Sequence, residues 1–414
     1  IRRNLIRDPY EGSRRPVLIN HWEATEMHFT ADQLVGIAQE APQLGIELFV
    51  MDDGWFGARS NDNAGLGDWV VNEEKLPGGL GALAERVKAL GMEFGIWIEP
   101  EMVNEDSDLY RAHPDWVLNV PGRRPSRGRE QLVLDFSRQD VRDHVYSQIH
   151  AVLSSADIAY LKWDMNRSLT EVWSAALPAG RQGEVYHRYV LGVYEFAARL
   201  RRDFPHMLIE GCCGGGGRFD GGMLYYVPQI WCSDNSDAVD RLRIQYGTSF
   251  CYPVSTMGAH VSAVPNGCTG RVTPMETRGV VAMHGTFGYE MDLGKCTQEE
   301  KNIAKRQVAF FKEHYDLIQD GDYYRLSDPF QNGPFTAWEH VSPDRREALA
   351  SLVTGPFRGA PPFLALRLKG LDPDLRYTVN GEGGWPGDVL MQVGCPLPML
   401  RGDYQAIQLH LKAE

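Results

Sequence analysis

The chain has 414 residues, and 42 basic against 55 acidic side chains give a formal net charge of −13. That length exceeds one ordinary core and predicts a large domain with a smaller one beside it, while the acidic balance, with basic residues gathered only in scattered clusters such as "GRRPSRGR", excludes nucleic acid as the natural partner. No apolar run approaches the roughly 18 residues of a membrane span, and the seven cysteines, spaced like neither a disulfide scaffold nor a zinc site, read as free thiols in a reducing, cytoplasmic compartment.

Taken in chain order, short apolar runs alternate with amphipathic segments. The runs are "PVLINHW" (16–22), "ELFVMDDGW" (47–55), "EFGIWIEPE" (93–101), "IAYLKWDMN" (158–166), "MLIEGCCG" (207–214), "QIWCSDN" (229–235), "YPVSTMGAH" (252–260) and "AMHGTFGYE" (282–290). Between them, Thr30 with Gln33 and Thr297 with Glu300 stand at capping-box spacing. Gly91 closes "LGALAERVKALG" as a C-terminal cap. "RQDVRDHVYSQIHAVLSS" and "EVYHRYVLGVYEFAARLRRDF" repeat apolar residues at helical spacing. Eight near-continuous apolar strands alternating with helices predict a parallel sheet closed as a (β/α)8 TIM barrel over residues 1–325. Beyond it, "FTAWEHV", "REALASLVTG", "PFLALRLKG", "LRYTVNG" and "QAIQLHLKA" are short strands without a helical pattern. They predict a small C-terminal antiparallel β-sandwich over 326–414. Ile1, with no initiator Met or signal peptide before it, reads as a cut edge.

In such a barrel the chemistry sits at the C-terminal ends of the strands, and there the polar residues gather. Asp52, Asp53 and Trp55 follow the second strand, and Trp97 and Glu99 lie on the third. Lys162, Asp164 and Asn166 end the fourth, Cys212 and Gly214 the fifth, Trp231, Ser233 and Asp234 the sixth, and His260 the seventh. Any one carboxylate could be capping the next helix; so many ionisable groups on one rim point to a site. Indole faces suit the C–H face of a sugar ring, paired Asp residues suit vicinal hydroxyls, and two further carboxylates can cleave a glycosidic bond. The stretch "GCCGGGGRFDGG" lacks the Lys-Ser/Thr of a phosphate loop. Its glycines are expected to let the backbone approach a sugar. No His can be placed beside Cys212 as a base, so its thiol reads as a pocket lining.

The motifs "MDDGWFG", "GIWIEPEMV", "LKWDMNR", "IEGCCGGGGRFD" and "WCSDNSDAVDRLRIQYG" make the chain resemble the α-galactosidases of glycoside hydrolase family 36. The resemblance implies a catalytic barrel with a C-terminal β-sandwich, and it implies roles. Asp164 is then the nucleophile and Asp234 the acid/base. Asp52 and Asp53 hold the O4 and O6 hydroxyls, Lys162 reaches O3 and O4, and Asn166, Cys212 and Gly214 surround O2. Trp97 and Trp231 wall the pocket, and Arg129 reaches it more loosely. Partners are galactose-containing oligosaccharides such as melibiose and raffinose-type sugars, with no metal or organic cofactor. The family's large N-terminal β-sandwich has no counterpart in the sequence, which bears on whether the chain forms a homo-oligomer.

The chemistry implied is retaining hydrolysis, with Asp234 expected to be the less solvated, protonated carboxyl. Lys162, two residues before Asp164 and on the same strand face, is expected to keep Asp164 ionised. The same pair would serve a transglycosylase or an α-N-acetylgalactosaminidase; the latter needs room at C2, where Cys212 stands. A related α-glucosidase would place O4 differently from what Asp52 and Asp53 suit. A non-catalytic sugar-binding protein would not need Asp164 and Asp234 together.

Overall fold

Each of the eight apolar runs contains a strand. In the computed structural model, which describes residues 1–2, 4–6, 14–331, 333–357, 359 and 363–414, these are β1 (Leu18–Asn20), β2 (Leu48–Met51), β3 (Glu93–Ile98), β4 (Tyr160–Trp163), β5 (Leu208–Gly211), β6 (Gln229–Trp231), β7 (Met257–Ser262) and β8 (Thr286–Glu290). They close in the order β1-β8-β7-β6-β5-β4-β3-β2, each strand beside its sequence neighbour. β7 starts later than the expected run because Pro253 and a 3-10 turn, Val254–Thr256, occupy its first half. By compactness the chain divides into residues 1–234 with 290–295, and 235–289 with 296–414. The polar rim described below lies wholly in the first of these.

A helix follows every strand. They are α1 (Ala31–Gln39), α2 (Gly79–Ala89), α3 (Gln139–Leu153), α4 (Val185–Asp203), α5 (Gly221–Tyr226), α6 (Ala238–Thr248), α7 (Met275–Ala282) and α8 (Gln298–Glu313). Both expected capping boxes form. Thr30 Oγ1 accepts from Gln33 N at 3.3 Å while Gln33 Oε1 accepts from Thr30 N at 2.9 Å. Thr297 and Glu300 do the same at the start of α8. Gly91 ends α2's turn at φ +90°, a left-handed position suited to glycine.

The C-terminal strands β9 (Asp322–Arg325), β10 (Phe335–Val341), β11 (Glu347–Thr354), β12 (Arg376–Val379), β13 (Glu382–Pro386) and β14 (Ala406–Ala413) form one sheet in the order β9-β10-β11-β14-β12-β13. Its pairs are antiparallel. The alternate residues Ala348, Ala350 and Leu352 of β11 pack with Leu409 and Leu411 of β14 against Leu366, Leu390, Cys395 and Leu397. This second layer is only partly β. It consists of the short ladder Ala365–Leu366 with Cys395–Pro396 and a helix, α9 (Gly387–Gln392). The sequence reading expected no helix here. One of six residues is too short to display a 3.6-residue period. Of the run expected as a strand at 362–370, Pro362 lies outside the described residues and only Ala365–Leu366 is strand.

Glu339 faces the interior of this sheet, fully buried, with Oε2 accepting from Lys369 N at 2.8 Å. Burial pushes its carboxyl up to about 8. A folded-state value above the ordinary one makes its stabilising protonation complete at low pH and lost as pH rises through 8. The gain in thermal midpoint from Glu339→Gln is therefore expected to grow between about pH 5 and about pH 9, measured by calorimetry across that range.

Candidate active site

Strand alternation sorts β4 into two faces. Tyr160 belongs to an interior cluster with Leu18, Leu48 and Val50, and Lys162 and Asp164 follow it at two-residue intervals on the same side. Trp163 points the other way, edge-on to Phe196 of α4 at 5.4 Å, and donates Nε1 to Glu101 Oε1 at 3.0 Å. The alternation explains why a cation, an indole and a carboxylate end one apolar strand: two of them face the pocket, and the third ties the strand to its helix.

Lys162 is buried and donates Nζ to Asp52 Oδ2 at 3.0 Å. Asn20 Nδ2 donates to the same oxygen at 2.6 Å, and Asp53 N to the other at 2.9 Å. Burial would raise Asp52 and lower Lys162. The ammonium overrides the first, holding Asp52 below the usual carboxylate range. Asp52 and Glu290 override the second, holding Lys162 well above the usual amine range. The expected contact of Lys162 with Asp164 is thus replaced by an ion pair past β3 to Asp52 at the end of β2, because strand parity fixes the face of a side chain but not where its flexible end reaches. Asp53 is paired separately: Arg59, itself fully buried, donates to Oδ1 at 3.1 Å and to Oδ2 at 2.8 Å. Trp231 lies beneath the Lys162 ammonium, 5.5 Å from Nζ to ring centroid.

Asp164 is 6% exposed and surrounded by donors. Asn166 Nδ2 stands at 2.7 Å, Met165 N at 2.8 Å, Trp97 Nε1 at 3.3 Å and Gly214 N at 3.4 Å. Asn166 Oδ1 is buried without a hydrogen-bond partner and is left as an acceptor for a hydroxyl. Asp234 takes Trp231 Nε1 at 3.0 Å, with the Cys212 thiol at 4.0 Å. The expected order of solvation is reversed: Asp234 is exposed and Asp164 buried. Enough protein still crowds the Asp234 carboxyl for partial burial to raise it, and the nearby Asp164 charge raises it further. The Cys212 thiol is pushed well above its usual range by burial and by Asp164, and so stays protonated. Arg129 sits on the rim, half-exposed, with Nη2 3.5 Å from Asp62, within the field of Glu99, Asp164 and Asp53.

The glycine-rich loop after β5 does two jobs. A Cβ on Gly214 would meet Asn166 Oδ1 at an ordinary 3.9 Å, and its N–H turns to Asp164. Its neighbours pack on the chain instead. A Cβ on Gly215 would meet Ser233 Cα at 2.7 Å and Asp234 N at 3.0 Å, and one on Gly216 would meet Cys232 O at 2.8 Å. Arg218, four residues beyond Gly214, anchors the loop by donating to Glu101 Oε1 at 2.7 Å, while Tyr189 OH donates to Glu101 Oε2 at 2.5 Å.

Sequence reasoning missed Arg59, Glu101, Gln131 and Arg218, and gave Glu99 no role. The motif containing Arg218 was visible, but its partner Glu101 lies 117 residues away. Among the described residues, the group with metal-ligating spacing is His314, Glu347 and His410 of the second compact unit, where His410 Nε2 and Glu347 Oε1 form a 2.6 Å pair.

The melibiase family profile matches residues 1–321, and the glycosyl hydrolase family 36 C-terminal domain matches 335–411. The chain is 54% identical over 412 residues to the α-galactosidase AgaA of Geobacillus stearothermophilus, covering 100% of this chain and 56% of that protein. It is 54% identical over 409 residues to the bifunctional α-galactosidase/sucrose kinase AgaSK of Mediterraneibacter gnavus, covering 99% and 43%. It spans about half the length of the curated relatives it matches. Its structure is similar to the crystal structure of AgaA with a TM-score of 0.97, covering 99% of this chain and 57% of that one at 54% identity. A variant of AgaA solved in complex with raffinose gives 0.98 at 53% identity, covering 100% and 57%.

Two substitutions test the construction of the site. Asp52→Asn removes the charge that neutralises a buried ammonium, and denaturant unfolding is expected to show a loss of about 3–5 kcal/mol. Gly215→Ala combines a left-handed φ of +83° with a clash against main chain. It is expected to cost about 1–3 kcal/mol more than Gly214→Ala, where a φ of +50° is the sole strain. Equal losses from the two alanine variants would contradict the packing role of Gly215.

Proposed function

Because the chain belongs to glycoside hydrolase family 36, we propose that it is a retaining α-galactosidase acting on terminal α-D-galactosides of the melibiose and raffinose type, with Asp164 as nucleophile and Asp234 as acid/base. The observation that carries this reading is the contrast between the two carboxyls. Asp164 is ringed by N–H donors, which suit an anion. Asp234 is raised toward its protonated form by partial burial and by its neighbour's charge. A carboxylate held by donors beside a carboxyl raised toward its protonated form is the division of labour a retaining glycosidase requires.

In the first step a carboxylate oxygen of Asp164 attacks the anomeric carbon as the glycosidic C–O bond breaks, and the Asp234 proton passes to the leaving oxygen. In the second step the Asp234 carboxylate takes a proton from water, the water oxygen bonds to the anomeric carbon, and Asp164 leaves as carboxylate. Asp52, Asp53 and Lys162 would read O4, O6 and O3, with Asp52 and Lys162 holding each other charged and Arg59 opposing the burial that raises Asp53. Asn166, Gly214 and the protonated Cys212 would line O2, with Trp97 and Trp231 as walls and Arg129 at the rim. Cys212 leaves little room for a 2-acetamido group. Supporting the substrate class, a relative at 53% identity has been solved with raffinose.

The same reading assigns catalysis to residues 1–325 and an accessory β-domain to 326–414, in a reducing cytoplasm suited to seven free thiols. Among the described residues, no helix is long and apolar enough to cross a membrane.

The test uses Asp164→Gly and Asp234→Gly with an aryl α-galactoside whose phenol leaves readily. Asp234→Gly is expected to form the glycosyl-enzyme, stall, and be rescued by azide to give the α-galactosyl azide. Asp164→Gly forms no covalent intermediate, so azide gives the β-azide by one inversion. Proton NMR distinguishes the products, and the same anomer from both variants would falsify the assignment. Turnover of the matching α-glucoside or α-N-acetylgalactosaminide by the wild type as fast as the galactoside would sink the specificity.

A further inference from the structure

Beneath the proposed nucleophile lies a second carboxyl that the mechanism above does not use. Glu99 follows β3 and is fully buried. Its Oε1 accepts from the backbone N–H of Asn166, and its Oε2 stands 3.1 Å from Gln131 Nε2. Asn166 in turn donates its side-chain amide to Asp164 at 2.7 Å. Glu99 therefore holds the turn 164–166 through the backbone of the same residue whose side chain orients Asp164.

We propose that Glu99 is a positioning residue of the reaction, setting the orientation of the turn that carries Asp164 and Asn166. This rests on the reading of Asp164 as nucleophile. The charges facing Glu99 are Asp164, Asp53, Arg59 and Arg129, with the Cys213 thiol nearby. Arg59 is engaged by Asp53 and Arg129 stands beside Asp62, so among the described residues Glu99 has no cation of its own in contact. Two carboxylates sharing a dry site do not both ionise. Asp164 has several N–H donors, so the proton goes to Glu99. Burial first, and the Asp164 charge second, push its carboxyl up to about 8.

A protonated Glu99 needs an acceptor for its O–H, and Gln131 can supply one. Gln131 is fully buried and its Oε1 has no hydrogen-bond partner. A half-turn of the amide brings that oxygen to Glu99 Oε2, since the two ends of an amide differ only in which atom donates. Held at both oxygens, Glu99 has one orientation, and it passes that orientation to the Asn166 backbone. A neutral acid also adds no negative charge beside the anion that must attack.

Two measurements on the 414-residue chain test this. In infrared difference spectra taken in a Glu339→Gln background, which removes the other carboxyl raised to about 8, the chain is expected to show a protonated-carboxyl stretch that is lost as pH rises through about 8, is absent when Glu99→Gln is added, and is lost at lower pH when Asp164→Asn is added, where the neighbouring charge is gone. In kinetics Glu99→Leu is expected to lower kcat by about 100-fold with KM little changed, the scale of a misplaced reacting group, and the neutral, hydrogen-bonding Glu99→Gln to recover most of it. The proposal is overturned if the carboxyl band is missing from the Glu339→Gln background, if its midpoint does not move when Asp164→Asn is added, or if Glu99→Gln is as damaged in turnover as Glu99→Leu. If Glu99→Leu does not fold, the infrared titrations and Glu99→Gln decide. A wild type that turns over no α-galactoside would instead end the reading of the reaction, with the infrared arms still deciding where the proton sits.

Discussion

An ammonium inside a barrel has to be neutralised where it stands. Lys162 reaches the interior because β4 alternates, and Asp52, 110 residues earlier, meets it there at 3.0 Å. Around that contact the remaining charges are divided with little freedom. Asn20 and the Asp53 N–H complete the shell of Asp52. With Lys162 taken, Asp53 draws its cation from a loop, as Arg59. Asp164 is left with neutral donors only, and Glu99 with none of the cations in contact. A buried ion pair is weak as a source of net stability. Here it acts as the fixed point from which the polarity of each neighbouring group follows.

The fold was legible because a buried parallel strand is a continuous apolar run and a barrel repeats it eight times. The same logic placed the polar strand ends on one rim. Partners on other strands were not legible. Lys162 and Asp164 share a face, so proximity along the strand suggested an interaction, whereas the ammonium reaches past β3 to the end of β2. Solvation was misjudged for a similar reason: exposure depends on how neighbouring loops cover a carboxyl, and nothing local in "WCSDNSD" reveals that Asp234 stays open while Asp164 is covered. Arg59 and Arg218 were in plain view but looked like ordinary loop arginines, since their acceptors, Asp53 and Glu101, gave no sign of sharing a buried cation. In the C-terminal region a six-residue helix escaped notice because it is shorter than two turns of periodicity.

Glu99 and Glu339 show one physical rule in two settings. Each is a carboxyl removed from water without a cation in contact among the described residues, and each is raised to about 8. In the C-terminal sheet this makes the stability of one region sensitive to pH. Next to Asp164 the neighbouring anion reinforces the effect, and the retained proton leaves the turn with one negative charge where two acids lie close together.

The glycine-rich loop sets a length. Gly214 touches Asp164 through its N–H, while Gly215 and Gly216 rest their bare backbone on Cys232, Ser233 and Asp234. The two acids are thus spaced by main chain laid against main chain, with no rotamer in between. Such a spacer cannot be lengthened or shortened by exchanging one side chain for another, since any added carbon at Gly215 or Gly216 pushes strand ends apart wholesale.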